Sequence, residues 1–587
     1  MRELAAGFLL LATCLGVAPR MTAEGIPWDN ASDTWVATDA LGRKVGWHRD
    51  PRPDRTVGMF YFLWLGPHVQ GGPFDITKIL SLDPHAMEKR DSPLWGALGA
   101  PHHWGEPLFG YYLSDDAWVL RRHAQMLADA GVDTLIFDTS NKFTYPEQYL
   151  ALMRAFTEER RAGNRTPQVA FLVPFWDPKS TAAKLWEELY SKGLYSELWF
   201  RWEGKPLLLA DPAKVDPALR AFFTFRKPQP SYFEGPTGPN QWSWLEVYPQ
   251  HVFQNQQGEK EQMSVGVAQN AVDGKLAVLS HPRSLGRSYH EGRWDHSPGA
   301  VLHGYNVGEQ WERALQEDPR FLFVTGWNEW IAGRFDEFNK VSAPVMFVDE
   351  FDQEHSRDIE PMKGGHGDAY YYQMADAIRR YKGSRRPPVA GAAKSIDLAQ
   401  SFRQWDDVAP EYRDNIGDVY PRNHAGYNTI TRFTNNSGRN DLVAMKVARD
   451  REQIYFYART REDITDCTGA NWMLLFIDAD RDARTGWQGY DFVVNRRIKN
   501  RNTSFLEHTR SGWNWQPKQE VPFVVRGNEM MLAVPRRALN LGPDPIQFEF
   551  KWADNIQRED SLEEFTLSGD AAPPGRFNFL YQVSPVR

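Results

Sequence analysis

Cysteine is nearly missing from this 587-residue chain, which holds only Cys14 and Cys467. Two cysteines cannot build a disulfide framework or a thiolate metal cluster, and if Cys14 leaves with a leader peptide no pair remains. An excess of basic charge is missing too: 68 Lys+Arg stand against 76 Asp+Glu, a formal net charge of −8. No broad positive field is left for a polyanionic backbone, so nucleic acid is excluded as a partner. No apolar run reaches the roughly 18 residues that a membrane span needs. The stretch from Leu4 to Ala18, behind Arg2, is shorter and reads as a secretory signal over 1–24, so the protein is expected to be exported to a periplasm, a cell surface or the medium. Cys14 follows Leu11-Ala12-Thr13, which departs at Thr13 from a lipoprotein cleavage box. A Gly-rich phosphate loop is also lacking; Phe62-Leu63-Trp64-Leu65-Gly66-Pro67-His68 stands after the first strand instead, against an open nucleotide-binding sheet.

What is present is the composition of a folded protein, with 42% hydrophobic and 25% charged residues, long enough for two cores. From residue 56, short β-branched or aromatic runs end in polar clusters and alternate with amphipathic helices. Strands are expected at 57–64, 134–138, 169–176, 206–210, 221–225, 244–248, 264–268 and 321–327, with helices at 115–130, 146–161, 182–192, 308–317 and 368–381. Eight such units predict an α/β fold, a (β/α)8 TIM-type barrel over 25–382. The Pro/Gly-rich stretch 383–394 reads as a linker. Beyond it, short alternating runs between turn residues predict an all-β sandwich over 395–587.

In a barrel the catalytic groups sit where the strands end. Those ends offer Trp64 and His68, Asp138 with Asn141, Trp176, Glu246 with Tyr248, Asn270, and the turn Trp327-Asn328-Glu329-Trp330. A carboxyl flanked by two tryptophans is partly desolvated, which raises its pKa toward the range useful for proton transfer. Glycosidic bonds are cleaved by two carboxyl groups on one pocket. Glu329 supplies one, and Asp138, Glu246 or Glu337 is open as the second. The 23 Trp and 22 Tyr suit sugar faces, since each ring joins an apolar face to a polar edge. His281 and Arg283 open a His/Arg/Trp-rich stretch that could grip a carboxylate, sulfate or hydroxyl-rich ligand. The acidic stretch 349–360 could hold a hard cation or be a loop stapled by salt bridges.

The segments "TVGMFYFLW", "LSDDAWVLRRHAQMLADAGVDTLIFDTSN" and "FVTGWNEWIAGRFDEF" resemble the glycoside hydrolase family 99-like group, which includes the endo-α-mannosidases. The resemblance implies a barrel hydrolase acting on α-linkages of a polysaccharide or glycan, with Trp327, Asn328, Glu329 and Trp330 at its site and no cofactor required. It also implies a retaining route in which Glu329 assists the sugar's 2-hydroxyl and a second Glu three residues later acts as acid/base. This chain has Ala332 there, so that role passes to another carboxylate or the mechanism differs. "NWMLLFIDADRDARTGWQGYDFVVN" is similar to family 9-like carbohydrate-binding modules. In it Asp478, Asp480 and Asp482 could hold a structural Ca²⁺, and Trp472, Trp487, Trp513 and Trp515 are candidate sugar platforms. A sugar-binding barrel without catalysis and a metal-assisted hydrolase are the alternatives.

Overall fold

The computed structural model describes residues 28–66, 71–429 and 431–584. The predicted signal segment, Cys14 and His68 lie outside them. Eight strands frame the first part of the chain: β1 (Thr56–Tyr61), β2 (Thr134–Asp138), β3 (Gln168–Leu172), β4 (Lys205–Leu209), β5 (Thr224–Gln229), β6 (Gln241–Ser243), β7 (Lys260–Gly266) and β8 (Phe321–Thr325). They pair side by side, all parallel, in the order β7-β8-β1-β2-β3-β4-β5-β6. β2 and β8 are buried throughout and read as continuous hydrophobic runs, as strands covered on both faces do. The two outer strands, β6 and β7, are joined by a side chain. The fully buried Gln262 accepts from the Ser243 N–H at 3.0 Å and donates to the Ser243 carbonyl at 2.8 Å.

Among the helices are α1 (Ala117–Ala130), α2 (Pro146–Ala162), α3 (Lys179–Leu185), α4 (Pro217–Phe222), α5 (Tyr305–Glu317) and α6 (Ala369–Lys382). α1 starts where Asp116 accepts from the Trp118 N–H and stops at Gly131, whose φ of 93° only glycine adopts freely. Ser114, two residues before Asp116, accepts from the Leu65 N–H at 3.0 Å. Two expected strands shift. Residues 217–222 are helical, so the fifth strand starts later than its aromatic run implied. The sixth is 241–243, and 244–248 leaves the ladder with its carbonyls taken by side chains: Thr325 bonds the Trp244 carbonyl, and Gln310 the Glu246 carbonyl at 3.0 Å.

Past β8 the chain forms a hairpin, β9 (Ile331–Phe338) with β10 (Val341–Phe347), and β9 also pairs with Pro101–His103. Residues 383–394 contain no helix or strand, yet they are tied down, with Ser384 N–H bonded to the Arg49 carbonyl and Ala390 N–H to that of Gln582. The remainder is a β-rich region of antiparallel strands: β11 (Glu411–Arg413), β12 (Leu442–Arg449), β13 (Gln453–Thr460), β14 (Leu474–Asp478), β15 (Phe492–Asn500), β16 (Thr503–His508), β17 (Gln516–Arg526), β18 (Glu529–Pro535), β19 (Gln547–Asp554), β20 (Asp570–Ala572) and β21 (Phe579–Gln582). The ladder runs β11-β12-β13-β18-β17-β16-β15-β14-β19-β20, with β21 also on β19.

The two parts share one hydrophobic core, as where Trp35 and Tyr372 both meet the Phe577 ring. Polar groups close the seam. Arg422 bonds Asp116 at 2.8 Å and the Phe109 carbonyl at 2.9 Å, and Arg576 bonds Asp368 at 2.6 Å. Asn30, in a sequence pattern for N-glycosylation, is buried there and bonds Asp129 and Asn415, which leaves no room for a glycan. Among the described residues no helix is long and apolar enough to cross a membrane.

Gln262→Ala should lower stability by about 1–3 kcal/mol, because the buried Ser243 N–H and carbonyl lose their partner. Urea denaturation with an unchanged m-value would measure it, and a shift under about 0.5 kcal/mol would mean that β6 and β7 do not depend on this bridge.

Candidate active site

A cavity of about 570 Å³ opens over the C-terminal ends of the parallel strands. Phe62 and Trp64 reach it from behind β1, Asp138 from the end of β2, Phe175 and Trp176 from behind β3, and Tyr232 from behind β5. Trp244, Asn270 and Glu329 follow β6, β7 and β8, and Asp349 follows the hairpin. Aromatic faces therefore surround the carboxyl groups of Asp138, Glu329 and Asp349, while a fourth acid, Asp177, is paired with Lys142 at 2.9 Å. Trp176 stands at the rim with 72% of its surface exposed.

Glu329 is nearly fully buried, and one of its oxygens, Oε2, has no hydrogen-bond donor. Its charge partner is the fully buried Arg357, whose Nη1 lies 3.3 Å from that oxygen while Nη2 bonds Asp349 at 3.0 Å. Burial pushes the Glu329 carboxyl well above the usual carboxylate range; Arg357 opposes this, and Asp349, Asp358 and Asp138 reinforce it. Asp138 is also pushed up by burial, against its bonds with Ser140. Held by one guanidinium, Glu329 and Asp349 are no farther apart than roughly 9 Å, below the upper limit of about 9.5 Å for glycosidase carboxyl pairs. A protonated carboxyl and a second carboxyl on one aromatic-walled cavity can together move a proton onto a leaving oxygen and take one from an attacking group.

The turn that presents Glu329 is held from below. Asn328 accepts from the Phe62 N–H at 2.9 Å and donates to the Phe62 carbonyl at 3.2 Å, fixing the turn to the strand-end beside it. Trp330 donates its indole N–H to Glu360 at 2.6 Å. Glu360 also accepts from Tyr112 at 2.8 Å and pairs with His123 at 2.8 Å, and His123 reaches Tyr61 of β1 at 2.8 Å. Trp327 is fully buried, edge-on to His123.

The predicted residues thus separate. Glu329, Asp138, Trp64, Asn141, Trp176 and Asn270 share the cavity. Trp327, Asn328 and Trp330, expected to touch sugar, turn inward: Asn328 and Trp330 bond Phe62 and Glu360, and Trp327 packs in the core with its indole N–H unpaired. Glu246 is buried away from the cavity, where its carboxylate bonds the His251 N–H and ring at 2.9 Å each, and burial raises its pKa to about 7. Glu337 is exposed on β9, a strand whose faces alternate, and Tyr248 is exposed on the turn past β6; neither lines the cavity. His281 and Arg283 also lie outside it, with Arg283 paired to Asp273 at 2.7 Å. Ala332 is buried on β9 opposite His102, so the position of the resembling family's second Glu faces packed apolar groups here.

The acidic stretch 349–360 carries what the residue pattern did not assign: Asp349, Arg357 and Glu360. Its Asp358 accepts from Trp104 at 2.9 Å and its Glu354 from Ser288 at 2.7 Å. The alternation of acids with one Arg was the available signal. In the β-rich region Asp478 and Asp480 group with Asp491 rather than Asp482, because Asp482 is drawn to Arg484 at 2.6 Å. Trp472, Trp487 and Trp515 are buried in the core, so they present no open platform, and Trp513 is half-buried.

No protein-family model matches the chain, and no curated protein is similar to it. Among the solved structures similar to it are the GH99 endo-alpha-mannosidase from Bacteroides thetaiotaomicron and the same enzyme in complex with BIS-TRIS-propane. They are 16% and 15% identical, cover 57% of this chain and 99% and 98% of their own, and superpose with TM-scores of 0.33 and 0.32.

Glu360→Ala should cost at least about 3 kcal/mol of stability, because His123, Tyr112 and Trp330 lose a buried acceptor together. Asn141→Ala, at the exposed rim, should stay within about 0.5 kcal/mol. Equal thermal melts for both variants would show that the network beneath the turn does not hold it.

Proposed function

We propose that this protein is an exported glycoside hydrolase cleaving α-linkages in a complex polysaccharide or glycan. The observation that carries the reading is Glu329, a buried carboxyl with a raised pKa, sharing Arg357 with Asp349 on a cavity walled by aromatic rings. Glu329 gives its proton to the glycosidic oxygen as the C–O bond breaks. Asp349 takes a proton from the attacking group, and Asp138 orients a sugar hydroxyl. Trp64, Trp176 and Trp244 stack on sugar faces, whose C–H groups match the ring faces. Leading the Glu329 proton away leaves a carboxylate beside Arg357, which stabilises the charge that develops.

The same reading takes the eight parallel strands as a closed (β/α)8 barrel, supported by their sequential order and by the Gln262 bridge between the outer pair. It takes the β-rich region beyond 395 as a sandwich related to carbohydrate-binding modules. The burial of its tryptophans favours a supporting role there over sugar capture.

Turnover should be measured on aryl α-glycosides and α-linked polysaccharides. Glu329→Gln and Asp349→Asn should each reduce it by about 10²–10⁴-fold. Because the acid must be protonated to act, activity should fall as pH rises through the Glu329 pKa, which burial places above the ordinary glutamate value near ~4.3. Glycan binding without turnover by wild type and variants alike would replace the enzyme with a sugar-binding barrel.

A further inference from the structure

A second group of carboxylates, none lining the cavity, gathers where the β-rich region docks on α1. Asp414 and Asp418 lie just past β11, and Asp570 opens β20. All three are buried, and each offers an oxygen within 4.8 Å of the others. Asp414 has no exposed surface, and neither of its oxygens meets a hydrogen-bond donor. Oδ1 of Asp418 and Oδ1 of Asp570 also lack one.

Two more buried acids stand close enough to feel this charge. Asp441, just before β12, has a free Oδ1, and Asp129, in the last turn of α1, has a free Oδ2. Against these stand Arg122, 3.6 Å from Asp418, and the buried Lys551, whose charge reaches Asp414 while its Nζ donates to the Pro573 and Phe577 carbonyls. Burial and mutual repulsion hold Asp414 and Asp570 well above the usual carboxylate range and bring Asp418 to about 6 and Asp441 to about 8.

Buried carboxylates without donors are costly while ionised, and the remedies are an added proton, a counter-ion with further hydrogen bonds or a metal, of which only the metal binds all three carboxylates at once. Hydrogen-bond donors already occupy the other oxygens: Leu442 N–H bonds Asp570 at 2.5 Å and Gly417 N–H bonds Asp441 at 2.9 Å. One oxygen each from Asp414, Asp418 and Asp570 converges. Oxygens within 4.8 Å of one another suit an ion that takes them at about 2.3–2.6 Å. We propose that Asp414, Asp418 and Asp570 bind one calcium ion that staples segment 414–418 to β20 and, through it, the β-rich region to α1. Calcium is favoured over magnesium, which keeps several waters and would have to shed them in a site this enclosed. The site is distinct from the Asp478, Asp480 and Asp491 group, where Asp480 is exposed.

The test uses the full-length protein after exhaustive dialysis. Elemental analysis should find tightly held calcium in the wild type, one equivalent less in Asp418→Asn, and no such loss at this site in Asp480→Asn. After chelator treatment the wild-type melting temperature should fall, and calcium but not magnesium should restore it. Should Asp418→Asn fail to fold, amide exchange on the wild type decides instead: removing calcium should expose 411–418, 440–442 and 568–572. Wild-type protein free of calcium, equal calcium in wild type and Asp418→Asn, or exposure confined to 478–491 would overturn the proposal.

Discussion

The buried carboxylate of Glu360 is the fixed point on which the candidate site depends. It has no contact with solvent, and it joins His123 of α1, Tyr112 of the loop before α1 and Trp330 of the turn behind β8. A buried acceptor with three donors is secure only while all three stay in place, so each of those elements fixes the others. Glu329 stands directly before Trp330 on the same turn, and its orientation follows from that arrangement. The Asn328 clamp on Phe62 adds the link to β1.

A second constraint follows from the first. Holding Glu329 out of water raises its pKa, and a fully ionised, unpaired carboxylate in such a place would be expensive. Arg357 moderates this without abolishing it, because its charge is divided between Glu329 and Asp349. The cavity therefore keeps a carboxyl that can give up a proton beside a guanidinium that can accept its charge. Chemistry of this kind needs a rigid surround, and strand ends supply it more reliably than long loops.

Much of the fold was legible in the residues. Continuous runs such as Phe321–Thr325 and Thr134–Asp138 can only be strands buried on both faces, and Gly131 and Gly163 mark helix ends by their left-handed backbone. Boundaries slipped where a side chain overrode propensity. Residues 244–248 look like a strand, but Thr325 and Gln310 take its carbonyls. Strands Leu442–Arg449 and Thr503–His508 carry charged residues among apolar ones, which blurs the alternation that marks a strand.

By itself the sequence determined the β/α rhythm, the change to an all-β pattern past 395 and the prominence of the Trp-Asn-Glu-Trp turn, because periodicity and composition are local properties. Which carboxyl faces Glu329 was decided only in three dimensions. Asp138 and Glu246 both follow strand runs, yet one reaches the cavity while the other is held by His251. Asp349 and Arg357 arrive from beyond a hairpin, and the buried acids 414, 418 and 570 meet across more than 150 residues of chain. Such meetings depend on how whole strands stack and register, and no local window of sequence contains that information.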